Sequence, residues 1–255
     1  YNSYGDQINN QDIQEIIIGA TVTRLNTSVF NSCTALHTVT IPDSVTSIGN
    51  SAFGSCSALQ SVTIPDSVTS IGNRAFGACT ALQSVTIGNS VTSIDTYAFD
   101  NCRALLSITI PDSVTYFGDR AFQNCVLLQS IIIGDSVTSF GYRTFFNCKV
   151  LQSVTIGNSV TSIGESAFQS CTALETLTIP NSVTTIDNSA FANTILRTVF
   201  VSETVKTRLN VEFGLNTTFF GANNVYIMDI DTEVSPPVGL SLSNSMIHEN
   251  ISDGT

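Results

Sequence analysis

Cys79-Thr-Ala-Leu-Gln-Ser-Val-Thr-Ile-Gly-Asn-Ser-Val-Thr-Ser-Ile-Asp-Thr-Tyr-Ala-Phe99 contains no His, Lys, Glu or Trp, and the chain writes nearly the same line many times. Outward from it, Cys recurs at 33, 56, 79, 102, 125, 148 and 171, always twenty-three residues apart. Leu keeps the same interval from 36 to 174 and Phe from 30 to 191. A fixed period of this length marks an array whose units stack, because one unit of about this size cannot bury its own apolar face.

Each unit divides into three sides. Leu36-His-Thr-Val-Thr-Ile41 ends in alternating polar and apolar residues, the pattern of a short half-buried strand. Pro42, Pro65, Pro111 and Pro180 close that side, and Gly88, Gly134 and Gly157 do so elsewhere. Ser44-Val-Thr-Ser-Ile48 follows, extended, with Val45 and Ile48 inward. Ala52, Phe53 and Cys56 then stand three and four apart, which predicts one helical turn.

Composition narrows the function classes. Charged residues are 11% of the chain, the formal net charge is −11 and the isoelectric point is near 4.3, which excludes nucleic acid as a natural partner. No apolar run is long enough for a membrane-spanning helix, so membrane insertion is not expected. Tyr1-Asn-Ser-Tyr-Gly5 is a polar start without signal-peptide character and Ser252-Asp-Gly-Thr255 carries no terminus signal, so the chain is expected to be a piece of a longer protein. The cysteines form no short-range cluster of the kind zinc needs. Stacked at about the strand spacing of 5 Å and pointing the same way, they suit buried packing better than disulfide torsions.

The strand segment L-x-x-V-x-I together with S-V-T-x-I-G-x-x-A-F-x-x-C resembles the BspA-like, Treponema pallidum-type leucine-rich repeats, over roughly residues 10 to 202. That resemblance implies a right-handed solenoid with a parallel sheet on its concave face, and a secreted or cell-surface protein that binds other cells or matrix. A parallel β-helix is the alternative architecture, and the helical turn counts against it.

The ends depart from the period. Residues 1–31 read as an N-terminal cap and an irregular first coil, with Ile13, Ile16 and Ile18 in the Leu, Val and Ile places. Residues 32–201 are the solenoid, whose last strand around Val199 fits only after one deletion. Residues 202–231 read as a C-terminal cap, 232–239 as a Pro-containing linker, and 240–255 as the truncated start of another module. That last stretch resembles the opening strand of cadherin-like modules, which would make Glu249 a calcium ligand completed only by downstream residues. No complete metal site is expected, and no cofactor. Sequons stand at Asn26, Asn216 and Asn250.

Catalysis needs convergent acids, bases or nucleophiles. The chain has two histidines, His37 and His248, and no unit pairs one with Ser and an acid, so no enzyme is expected. The outward strand positions instead repeat Ser or Thr, a lattice of hydroxyls. It reads as ordinary strand chemistry, as a hydrogen-bonding face for glycans or extended chains, or as an ice-binding face built of Thr columns. Leu106 and Ile132 break this lattice beside Thr109 and read either as binding anchors or as drift in a decaying repeat. The column Asp43, Asp66, Asp112 and Asp135 reads either as a cation site or as turn chemistry bonding its own backbone. Tyr97, Tyr116, Tyr142, Phe146, Arg120 and Arg143 replace small or polar residues in the middle units, near Arg74 and Lys149. Such a cluster is either a contact patch or a seal lying over neighbouring units. The expected function is an extracellular recognition or adhesion module, monomeric as excised, binding a protein or glycan. The alternative is a structural spacer that displays neighbouring modules.

Overall fold

The computed structural model describes residues 10–209, 214–219 and 222–229. They form a β-solenoid of eight coils. Each coil contributes one long strand and one short strand, joined by a side made of turns. The long strands run from Glu15–Ile17 in the first coil through Ser107–Ile110 in the fifth and Ser130–Ile133 in the sixth to Thr176–Thr178 in the eighth. The short strands run from Arg24–Leu25 through Tyr116–Phe117 in the fifth and Ser139–Phe140 in the sixth to Thr185–Ile186.

All coil-to-coil strand pairs are parallel, with equivalent residues opposite each other, as in Val62↔Val85 and Ile48↔Ile71. Ile16 faces Val39, so the first coil is in register despite its different sequence. After the eighth coil the register shifts by one residue, Thr176↔Thr198, which absorbs the deletion. Strand Thr198–Val201 then pairs with Ala222–Asp229, and Gly214–Phe219 pairs antiparallel to that strand, beyond a short helix Glu203–Leu209. The linker, the cadherin-like segment with Glu249, and Asn250 lie outside the described residues. No helix among the described residues is long and apolar enough to cross a membrane.

The core is one column per inward position. In the fifth coil Cys102, Leu105, Ile108, Ile110, Val114, Phe117, Ala121 and Phe122 are all buried. The constant spacing stacks the Phe rings nearly parallel, with centroids 5.3 Å apart for Phe53–Phe76, 5.4 Å for Phe76–Phe99 and 5.2 Å for Phe99–Phe122. The offset this allows suits aromatic faces better than a direct sandwich. All seven cysteines are free and buried. Each thiol from Cys56 to Cys171 donates to the carbonyl of the Phe twenty-six residues earlier, as from Cys102 Sγ to Phe76 O at 3.2 Å.

The turn side refines the helical-turn expectation. Ala52 N–H bonds Gly49 O, Gly54 N–H bonds Ser51 O and Cys56 N–H bonds Phe53 O, each three residues back. These bonds do not propagate as helix because Ser51 (φ 51°) and Ser55 (φ 60°) are left-handed, and equivalent residues repeat this in later coils. The freed N–H groups bond the next coil instead, as from Phe53 N–H to Ala75 O at 2.8 Å. Backbone groups that a helix would satisfy internally thus join neighbouring coils.

Candidate functional site

The candidate residues separate onto the three sides of the solenoid. On the long-strand side, Ser84, Ser107 and Thr109 floor an open trough of about 720 Å³ bounded by Asp112, Ile132 and Asp135. Leu106 is 43% exposed in the fifth coil and Ile132 is 50% exposed in the sixth. Leu127, which sequence reading passes over, is 47% exposed in the same sixth coil. Its column is otherwise Ala in most units, and that was the available signal. Ile132 borders the trough, Leu106 and Leu127 are exposed in the same two adjacent coils, and Ile17 of the first coil, in the outward column of Ile132, is apolar and exposed as well.

The carboxylates beside this trough staple coils together rather than bonding their own turns. Asp66 Oδ1 accepts from Asn89 N–H at 2.6 Å, Asp112 Oδ1 from Asp135 N–H at 2.9 Å and Asp135 Oδ1 from Asn158 N–H at 2.8 Å. Stacking at the strand spacing brings the next coil's amide closer than the turn's own. Among the described residues, no group of three His, Cys, Asp or Glu is placed to hold a metal ion.

On the short-strand side stands Tyr116, 53% exposed in a column that carries Arg24 in the first coil and Ser or Thr in the others. It walls a smaller trough of about 330 Å³ lined by Asn50, Ser70, Ser93 and Asp95. Its column lies on a different side from Tyr97 and Tyr142, so the three tyrosines do not form one patch.

The turn side brings the remaining candidates together. The Arg74 guanidinium lies 4.6 Å from the Tyr97 ring centroid, and Arg120 lies 5.1 Å from Tyr97 and 4.5 Å from Tyr142. Arg143 continues the stack, 4.8 Å from both Tyr142 and Phe146. Arg120 Nη1 donates to the Tyr97 hydroxyl. Cations alternate with aromatic faces through four coils, an attraction that partial burial strengthens. Beneath them burial pushes the Asp100 carboxyl above its ordinary value, opposed by a hydrogen bond from Gln123 and by the Arg74 and Arg120 charges. Arg143 Nε and Gln123 Oε1 are buried without a hydrogen-bond partner among the described residues. The π faces of this ladder are occupied by one another, so its geometry is that of a brace joining coils.

Comparison with known proteins agrees with the architecture. The family model for the BspA type leucine rich repeat region matches in six copies, over residues 7–127 and 92–216. No curated protein matches the sequence. A leucine-rich repeat protein from Bacteroides ovatus ATCC 8483 is similar in structure, with 26% identity and a TM-score of 0.58 over 80% of this chain. The match spans 60% of that protein's chain. The T. pallidum leucine rich repeat protein matches at 26% identity and a TM-score of 0.41, over 51% of this chain and 72% of its own. A leucine rich cell surface protein from Faecalibacterium prausnitzii A2-165 matches at 25% identity and a TM-score of 0.38, over 84% of this chain and 79% of its own. The repeat unit, its stacked coils and the span of the family match together place this chain in the BspA-type leucine-rich-repeat family.

Proposed function

We propose that this chain is a non-catalytic extracellular recognition module that binds a protein or glycan across the long-strand side of its fifth and sixth coils. The carrying observation is the exposure of three large apolar side chains, Leu106, Leu127 and Ile132, in these two adjacent coils, with Ile132 on the edge of the hydroxyl-lined trough. Apolar anchors inside a polar rim are the arrangement in which a few residues dominate binding. A secreted, cell-surface setting suits a surface rich in Ser, Thr and Asn with few charges, and it is what the family resemblance leads one to expect.

The repeat supplies its own controls. Leu106→Gln and Ile132→Thr restore what neighbouring coils carry, so they alter the surface without asking the fold for anything new. The purified chain, applied to an array of glycans and extracellular-matrix proteins with calcium present, is expected to give a discrete hit. The pair of reversions should weaken it at least about tenfold, the loss of roughly 1.4 kcal/mol. A hit indifferent to both reversions, and to a charge introduced by Thr109→Asp, would move recognition off this face.

A second reading is favoured by the turn side. The Arg–Tyr ladder ties consecutive coils together with its faces already occupied, which is what a stiff spacer between other modules requires. Silence across the array would support that role.

A further inference from the structure

Three hydrogen bonds recur where one short strand meets the next. A Thr N–H and its hydroxyl both donate to the Thr carbonyl one coil earlier, as Thr115 does to Thr92 at 2.9 and 3.3 Å. Three residues further on, another N–H donates across the same junction, as from Gly118 to Ile94 O at 2.8 Å. These three are present at six of the seven such junctions. They are missing at the one between the fifth and sixth coils, where neither group of Thr138 bonds Thr115 and Gly141 N–H does not bond Phe117. The short strands Tyr116–Phe117 and Ser139–Phe140 do not pair, and one sheet ends where the other begins.

The cause lies in the core. Phe117 and Phe140 occupy a column that is otherwise Ile or Leu, and both are buried. The added rings crowd the Phe stack without breaking it: Phe122–Phe145 widens to 5.9 Å at 16°, Phe117 packs 5.5 Å from Phe122 and 6.5 Å from Phe140, and Phe140 meets Phe145 and Phe168 edge-on at 83°. Close-packed interiors yield to extra volume by moving backbone.

The other two sides stay joined across this junction. The long strands pair through four residues, Ser130↔Ser107 to Ile133↔Ile110. On the turn side Arg120, Phe122 and Asn124 N–H groups bond the sixth coil at 2.8–2.9 Å, and Arg120 stacks on Tyr142. The long-strand ladder is itself interrupted between the second and third coils and between the seventh and eighth, but there the short strands and turns carry across.

We propose that the junction between the fifth and sixth coils is a hinge, opening and closing on the short-strand side, with the Arg120–Tyr142 stack as the clasp on the turn side. Leu106 and Ile132 belong to the two coils that meet there, so a partner gripping both sets the hinge angle. That coupling rests on the recognition reading above, whereas the hinge does not.

Two measurements on the free chain test it. Amide hydrogen exchange should find Thr138 and Gly141 at least about tenfold faster than Thr115, Gly118, Thr161 and Gly164. Equal protection would remove the gap and the hinge with it. Motion is read by pulsed EPR between labels at Thr69→Cys and Thr161→Cys, four coils apart across the junction. The control pair, Thr23→Cys and Thr115→Cys, is also four coils apart and crosses the interrupted second-to-third junction instead. The first pair should show the broader distance distribution. Phe117→Ile combined with Phe140→Ile, which restores the residue of other coils, should narrow it to the control width and slow the two amides. Equal widths in the native core, or widths unchanged by the double substitution, would overturn the proposal.

Discussion

At the scale of single residues, each side chain of the core answers to its copies above and below. Phe99 is fully buried between Phe76 and Phe122, so Phe99→Ala should cost about 3–5 kcal/mol in chemical denaturation. A loss below about 1 kcal/mol would mean the column can collapse around the void. The thiols add a pH dependence. Burial pushes Cys171 up to about 12 and raises Cys102, Cys125 and Cys148 as well. Unfolded thiols ionise near about 8.5, so above that pH the unfolded chain sheds protons the folded chain retains. The contribution is therefore intact below about pH 8.5 and lost as pH rises towards the folded values. Melting temperature should fall from neutral pH to about pH 10, and Cys171→Ala should reduce the slope.

At the scale of elements, the two hydroxyl columns differ although both read as Thr in strands. Thr92 on the short-strand side donates its hydroxyl to Thr69 O at 3.1 Å. Thr86 on the long-strand side lines the trough. Thr92→Val should destabilise by about 0.5–1.5 kcal/mol and Thr86→Val by less than about 0.5, measured by urea unfolding. The strands, the inward columns and the first-coil register are legible because repetition gives every copy the same environment. Ile16 opposite Val39 follows from alignment alone. The left-handed residues of the turn side are harder to see, because Ser51, Arg74, Tyr97 and Arg120 occupy positions that Gly or Asn would have advertised. Asn101, Asn124 and Asn147, all at positive φ, were the signal available. The gathering of Tyr97, Arg120 and Tyr142 is only half legible, since Tyr142 comes from the neighbouring column. The break at Phe117 and Phe140 is not legible from hydropathy, because exchanging Ile for Phe leaves a residue apolar while changing its shape.

At the scale of the whole molecule, stability is a sum of coils and of the junctions between them. The Arg–Tyr ladder strengthens the junction that lacks short-strand bonds, so its loss should act on cooperativity as well as on midpoint. Arg120→Asn keeps a residue that tolerates the left-handed backbone while removing both stacking contacts, and should cost about 1–2 kcal/mol. The same substitution should also broaden the urea transition, as the two halves begin to unfold separately.

The buried cysteine column also orders events in time. Folded, every thiol from Cys33 to Cys171 is shielded from solvent, yet on the nascent chain all seven are open to oxidants. In an oxidising compartment the array must close each coil over its thiol before exchange chemistry reaches it. A chain that loses this race carries wrong bridges in place of packed thiols. Refolding with reduced glutathione should return seven free thiols on denaturant titration. Refolding slowly with the oxidised form should leave fewer, in a species that no longer stacks. For a protein built from one repeated line, the speed of coil closure then decides how much of it survives its own synthesis.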